Sequence, residues 1–204
     1  EFMEPGLTSE EVRKSIRDAV SQLEAMGVIV EEVSLPILKE IGPAGAVISG
    51  GDGAFLQREL VRRKTDNYTV SSRRSVITNS LIPTHVIEKA NKMRALFRNE
   101  WVNAFKQYDV LLGPTRMTTA IKLEYDDGPL TREKAEKNFE WRRGYTCPAS
   151  IAGTPAMSIP CGFDSEGLPI GIQIMASHFR EDVVLAVGNA YENNNDWHMR
   201  RPLI

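Results

Sequence analysis

Two serine clusters are the first residues in this chain that could carry chemistry. Ser71-Ser72 stands directly before Arg73-Arg74, and Ser49 directly before Gly50-Gly51. A nucleophilic hydroxyl needs a base within hydrogen-bond reach and preorganised donors for the developing oxyanion. Ser71-Ser72 has no flanking glycines to offer such donors, and Ser49 has no second serine to relay a proton. Neither is counted as a nucleophile. Gly50-Gly51-Asp52-Gly53 lacks the Lys-Ser/Thr ending and the preceding strand of a phosphate loop, so it reads as a bend between two helices. His85, His178 and His198 have no ligand spacing to one another or to the cysteines, and no metal or cofactor is expected. Cys161 lies in an apolar run and reads as an inert core thiol. Asp126-Asp127 is turn chemistry. Arg73, Arg74, Arg142 and Arg143 read equally as surface charges or ion pairs and as grips for an anionic group.

These residues must be held by an α/β scaffold. The densest signal runs from Tyr145 to Ala176. A short helix with Pro148 in its first turn stops at Gly153-Thr154-Pro155. Met157 to Phe163 and the alternating Ile170, Ile172 and Ile174 form two strands, and Asp164-Ser165-Glu166-Gly167 joins them as a hairpin. Upstream, Ser9 opens a helix capped by Thr8 or Ser9, whose Val12, Ile16, Ala19, Val20 and Leu23 share one face, and Gly27 ends it. Val28-Ile29-Val30 with Val33 reads as a strand stopping at Leu35-Pro36. Leu38 to Arg63 is helical and Gly-spotted. A loop to Ser72 leads into a helix ending near Leu81. Pro83 opens a long helix with an apolar stripe of Val86, Ala90, Met93, Leu96, Phe97, Trp101 and Phe105. Tyr108 to Thr115 reads as a buried strand entering a loop, and a short helix follows from Thr131 to Asn138. The tail from Asn193 is an irregular surface strap. Helices alternating with strands give an α/β layer structure, a mixed sheet flanked by helices.

The whole chain sets further bounds. Its 204 residues suffice for one full-sized core, and the expected organisation is a single α/β domain over residues 4–204. Glu1-Phe2 before Met3 reads as a cloning remnant and is set aside from the fold. A formal charge of −2 with basic clusters balanced by acids speaks against nucleic acid as partner. No apolar run is long enough to span a membrane, and no signal peptide heads the chain. Two cysteines are too few for a disulfide framework, so a reduced, cytoplasmic setting is expected.

The residues of the organising stretch also resemble a known family. Ala152-Gly153, Pro155-Ala156, Ser158, Pro160-Cys161-Gly162-Phe163, Gly167-Leu168-Pro169-Ile170-Gly171 and Gln173 follow the C-terminal core of the amidase signature family. The helix ending Ala190-Tyr191-Glu192, the "MGVIVEEVSLP" unit and the strand Asp109 to Thr115 resemble it too. The resemblance runs from Glu10 to about Leu203 but covers only the second half of the family's domain. It implies amide hydrolysis or transfer by a Ser-Ser-Lys triad whose residues lie in the other half; no "GGSSGGS"-type segment occurs here. It implies that the loop after the Asp109 strand, with Thr115, borders the substrate cavity. In the glutamyl-tRNA amidotransferase branch of the family, one arginine of an Arg-Arg pair grips the substrate's α-carboxylate, and Arg73-Arg74 matches that pair by order and approximate spacing. An acidic residue that holds the amino group is replaced here by Arg143, which disfavours an α-ammonium substrate. The chain is thus expected to be the C-terminal part of an amidase, inactive alone, with an amide substrate once completed. The alternative is a non-catalytic binding module. A sheet cut from its other half exposes an edge, so a second copy or a partner chain is expected to cover it.

Overall fold

The computed structural model describes residues 1–120, 131 and 144–201. Apart from Thr131 itself, the short helix expected at 131–138 lies outside the described residues, as do Asp126, Asp127, Arg142 and Arg143. The elements run α1 (Glu10–Ala25), α2 (Leu38–Arg63), α3 (Val70–Asn79), α4 (Thr84–Ala104), β1 (Val110–Pro114), α5 (Cys147–Ala152), β2 (Ala156–Phe163), β3 (Pro169–Ala176) and α6 (Glu181–Glu192). The strands make one sheet in the order β1-β3-β2.

The expected hairpin forms: β2 and β3 pair antiparallel, with a bulge between Pro160 and Gly162. β1 pairs antiparallel on the other side of β3, with Leu112 opposite Ile174. The helices-on-sheet architecture stands, but the described ladders are antiparallel and not mixed. Proline explains the order. Pro114 and Pro160 cannot donate to a ladder, so they sit in the two outer strands, while β3 carries its proline only at its first residue. The hairpin turn is closed by Asp164, whose Oδ1 accepts from the Glu166 and Leu168 N–H groups at 2.9 and 2.8 Å. Gly167 supplies the positive φ of 79° that this turn requires.

β3 is buried on both faces. Ile170, Ile172 and Ile174 pack with Ile159 and Cys161 against Val12, Ile16, Ala19 and Leu23 of α1 and Val184 and Tyr191 of α6. Met175 on the opposite face joins Phe97 and Trp101 of α4, Ile41 of α2, Leu111 and Tyr145. Each buried isoleucine contributes roughly 1.5–3 kcal/mol relative to exposure. Gln173 lies between those apolar neighbours, and its Nε2 donates to the Tyr145 carbonyl at 2.9 Å.

α1 begins as expected, with the Ser9 hydroxyl accepting from the Val12 N–H and Gly27 at φ 92° beyond its end. Four other expectations are corrected. Residues 28–35 form no strand, because no other described strand of the chain pairs with them. Gly50 to Gly53 is not a bend: α2 runs unbroken, and its glycines serve contact instead of flexibility. A Cβ on Gly45 would stand 2.3 Å from the Cys147 Sγ, and one on Gly50 would stand 2.8 Å from the Asn79 side chain. These glycines let α5 and α3 approach α2. Leu96 leaves the α4 stripe and is exposed, while Ala104 is buried in the same helix. Phe2 is part of the core, stacked on Tyr145 with ring centroids 4.6 Å apart, so the first residues cannot be set aside. In the tail, Arg200 lies over the rings of Phe163 and Trp197 at 5.0 and 4.7 Å, strapping it to the β2 end.

The Gly45 contact makes a checkable statement. Overpacking at such a site costs ~1–3 kcal/mol, against a gain of up to ~1 kcal/mol in helix propensity from glycine to alanine. Gly45→Ala is therefore expected to lower Tm. In a Cys147→Ala background, where the Sγ is gone, the same change is expected to cost at least ~1 kcal/mol less. Equal costs in both backgrounds by chemical denaturation would remove this account of Gly45.

Candidate functional site

Two concavities carry the polar side chains of interest. The first, of about 1120 Å³, lies between α2, α3 and α5. Ser49, Gln57, Ser72, Ser75, Asn79 and Ser150 give it a hydroxyl and amide lining beside the apolar Val47, Ile48, Val76 and Ile151. Among the described lining residues its charged groups are Asp52 and Arg94. Arg94 is oriented by its Nε, which donates to the Ile151 carbonyl at 3.0 Å.

The second, of about 590 Å³, lies at the sheet end and holds Thr115. Thr115 follows directly on β1, and its N–H donates to the Gly171 carbonyl at 3.0 Å. Its hydroxyl is 2.6 Å from that of Ser158 on β2, so the pair spans the central strand. Glycine at position 171 makes the span possible. A Cβ there would sit 2.8 Å from the Ser158 Oγ and 3.0 Å from the Thr115 Oγ1. The loop beyond Thr115 is clamped at two points: the Met117 carbonyl accepts from the Ser9 N–H at 2.8 Å, and the Thr119 hydroxyl donates to Asp164 Oδ2 at 2.6 Å. That bond, then the Leu168 N–H, holds the Asp164 carboxyl below its ordinary value.

The candidate residues are not gathered in one place. Thr115 lines the sheet-end concavity. Arg73 is half-buried and Arg74 exposed on α3, and neither lines either concavity; the groove is faced instead by Ser72, Ser75, Val76 and Asn79 of the same helix. Neither guanidinium has an ion-pair partner among the described residues. Arg143 lies outside the described residues. Three contributors escaped the sequence reading: Ser158 as the partner of Thr115, and Asn79 and Arg94 in the larger groove. The strand register that joins Ser158 to Thr115 leaves no local signal in the sequence.

The Ser49 hydroxyl donates to the Gly45 carbonyl within its own helix at 2.8 Å, and that of Ser72 accepts from Thr69 at 2.9 Å. Among the described residues, no serine hydroxyl is hydrogen-bonded to a lysine or histidine. Burial pushes the Cys147 thiol up to about 11 and the Cys161 thiol to about 12, which suppresses the reactive thiolate. The Nε2 of His178 lies 3.1 Å from the Ala152 carbonyl and 3.3 Å from an Arg98 Nη2, a structural setting.

Known proteins share this arrangement of helices on an antiparallel sheet. The sequence model of the Amidase family matches residues 2–185. The chain belongs to the amidase family. It is 33% identical to the GatA-type chain of glutamyl-tRNA(Gln) amidotransferase from Thiobacillus denitrificans, with 99% of this chain and 45% of that protein covered. The corresponding protein of Halothermothrix orenii is 34% identical, with 94% and 44% covered. Among solved structures, an amidase superposes with TM-score 0.79 at 22% identity over 94% of this chain and 44% of its own, a likeness of fold. The corresponding amidotransferase protein of Thermotoga maritima superposes with TM-score 0.72 at 28% identity, over 96% and 41%. The chain spans less than half the length of the curated relatives it matches.

The Asp164 clamp yields a pH test. Its native carboxyl titrates below the ordinary 3.8, so its stabilising contribution is fully present above that pH and is lost as pH falls through the lower native value. Asp164→Asn is expected to lower Tm at pH 7, and the gap to the parent to close as pH falls below 3.8. A gap that stays constant to lower pH would show that the charge is not what closes this loop.

Proposed function

We propose that this chain is the C-terminal portion of an amidase, supplying scaffold and pocket walls to a catalytic centre whose Ser-Ser-Lys residues lie outside it. The observation that carries this reading is the family match over nearly the whole chain together with coverage of only 45% of a relative's length. The absence of a serine–base pair among the described residues agrees with it. In this reading the chain does not turn over an amide by itself, and its substrate is a small amide.

Thr115 borders the substrate cavity in the completed domain, with Ser158 fixing its hydroxyl. Arg73 and Arg74 offer cationic groups to a substrate carboxylate. The cation at Arg143 opposes an α-ammonium group, so a neutral, urea-like or carboxylated amide suits the pocket better than glutamine. Among the described residues no helix is long and apolar enough to cross a membrane, which fits encounter with a small amide in aqueous surroundings.

The test is an amidase assay on this chain alone, and on the chain co-expressed with the N-terminal portion of a GatA-type amidotransferase protein, using simple amides. Turnover is expected only in the combination. Activity of the chain alone would overturn the reading. No activity in either, with a stable complex formed, would favour a non-catalytic binding module. In the active combination, Thr115→Val is expected to lower kcat/KM by about tenfold, the loss of one hydrogen bond at ~1.4 kcal/mol. Arg143→Asp is expected to shift preference toward substrates bearing an α-ammonium, and unchanged preference would refute its assignment.

A further inference from the structure

The concavity at the sheet end is built from hydrogen-bond donors. Its lining hydroxyls are those of Thr115, Thr118, Thr119 and Ser158. Among the described residues that line it, the one charged side chain is Arg116, and none is a carboxylate. Val12, Ile159, Pro160, Pro169 and Ile170 make the rest of the wall apolar.

Much of this donor set is unspent. The Thr115 and Ser158 hydroxyls lie 2.6 Å apart. Each carries one proton and their bond uses one, so a second O–H remains to donate. The Thr119 hydroxyl is committed to Asp164. The Thr118 hydroxyl makes no hydrogen bond among the described residues, and the Arg116 guanidinium has neither hydrogen bond nor ion-pair partner there.

The loop that carries them is nevertheless fixed. The Thr115 N–H donates to the Gly171 carbonyl at 3.0 Å, and the Met117 carbonyl accepts from the Ser9 N–H at 2.8 Å. With the Thr119 bond to Asp164, these tethers fall on alternate residues, and Arg116 and Thr118 stand between them with their side chains free. A cation held this way loses little freedom when it binds. A guanidinium with hydroxyl donors beside it and no acid opposite selects an anion, and its planar fork matches a carboxylate. The apolar wall suits a short aliphatic body.

We propose that Arg116, with Thr118 and the Thr115–Ser158 pair, forms a carboxylate subsite at the sheet end, and that the amide handled here is a short aliphatic one bearing a carboxylate. The inference rests on the proposed function and deepens it. Arg73 and Arg74 line neither concavity, so the carboxylate contact moves from α3 to the loop after β1.

Isothermal titration of the chain alone with succinamate, succinamide and inorganic phosphate reads the subsite without catalysis. Succinamate is expected to bind at least tenfold more tightly than either of the others. Arg116→Gln is expected to weaken it about tenfold, with Arg116→Lys falling between. The Arg116 side chain is exposed and bonds nothing, so both variants are expected to keep the parent Tm. In the chain co-expressed with the N-terminal portion of a GatA-type protein, Arg116→Gln is expected to lower the ratio of kcat/KM for succinamate over succinamide about tenfold, mainly through KM. Equal affinity for succinamate and succinamide, or undiminished binding by Arg116→Gln, overturns the subsite; turnover of succinamide by the combination then leaves the proposed function standing. Tighter binding of phosphate than of succinamate overturns the carboxylate assignment. Arg116-dependent binding of succinamate, with no amide turned over by the combination, keeps the subsite and overturns the proposed function.

Discussion

Burial of β3 on both faces is the constraint on which the rest of the structure depends. Ile170, Ile172 and Ile174 face α1 and α6, while Gln173 and Met175 face α4 and the Tyr145 segment. One strand therefore divides the molecule into two cores. A central strand must give all its backbone groups to neighbours, which is why β1 and β2 flank it and why the prolines of the sheet interior fall to the flanks. Gln173 shows how tightly this is enforced. A polar side chain in that position is tolerated because the Tyr145 carbonyl accepts from it.

Small residues do the next layer of work. Gly45 brings α5 onto α2, Gly50 brings α3 onto α2, and Gly171 lets the hydroxyls of Thr115 and Ser158 meet across β3. In each case the missing Cβ permits an approach that alanine would obstruct. The two concavities are consequences of these approaches. The larger groove exists because α3 packs on α2 without a buried residue of its own, leaving a polar-lined space between helices. The smaller one exists because the loop after β1 is held to Ser9 and Asp164.

The chemistry expected of the family needs a hydroxyl activated by a base, and among the described residues no serine hydroxyl is hydrogen-bonded to a lysine or histidine. The chain spans less than half of its relatives' length. The β-branched pattern of residues 28–35 is that of a strand, but a ladder needs a neighbour, and the described residues offer none.

What the sequence by itself determined is what local physics can specify. The Ser9 cap, the Gly27 stop, the alternating isoleucines and the Asp164–Gly167 turn each act over a few residues, and each was legible. The family was legible too, because the run from Ala152 to Gln173 is long and specific. Only the tertiary structure decided the rest. Whether Gly50 to Gly53 bends or packs depends on whether Asn79 lies against it, and whether Leu96 or Ala104 is buried depends on what faces α4. The register that sets Ser158 beside Thr115, 43 positions apart, and places Arg73 and Arg74 outside both concavities arises from pairing between distant segments. Short-range propensity carries no information about such pairings, since they exist only once the two cores close around β3.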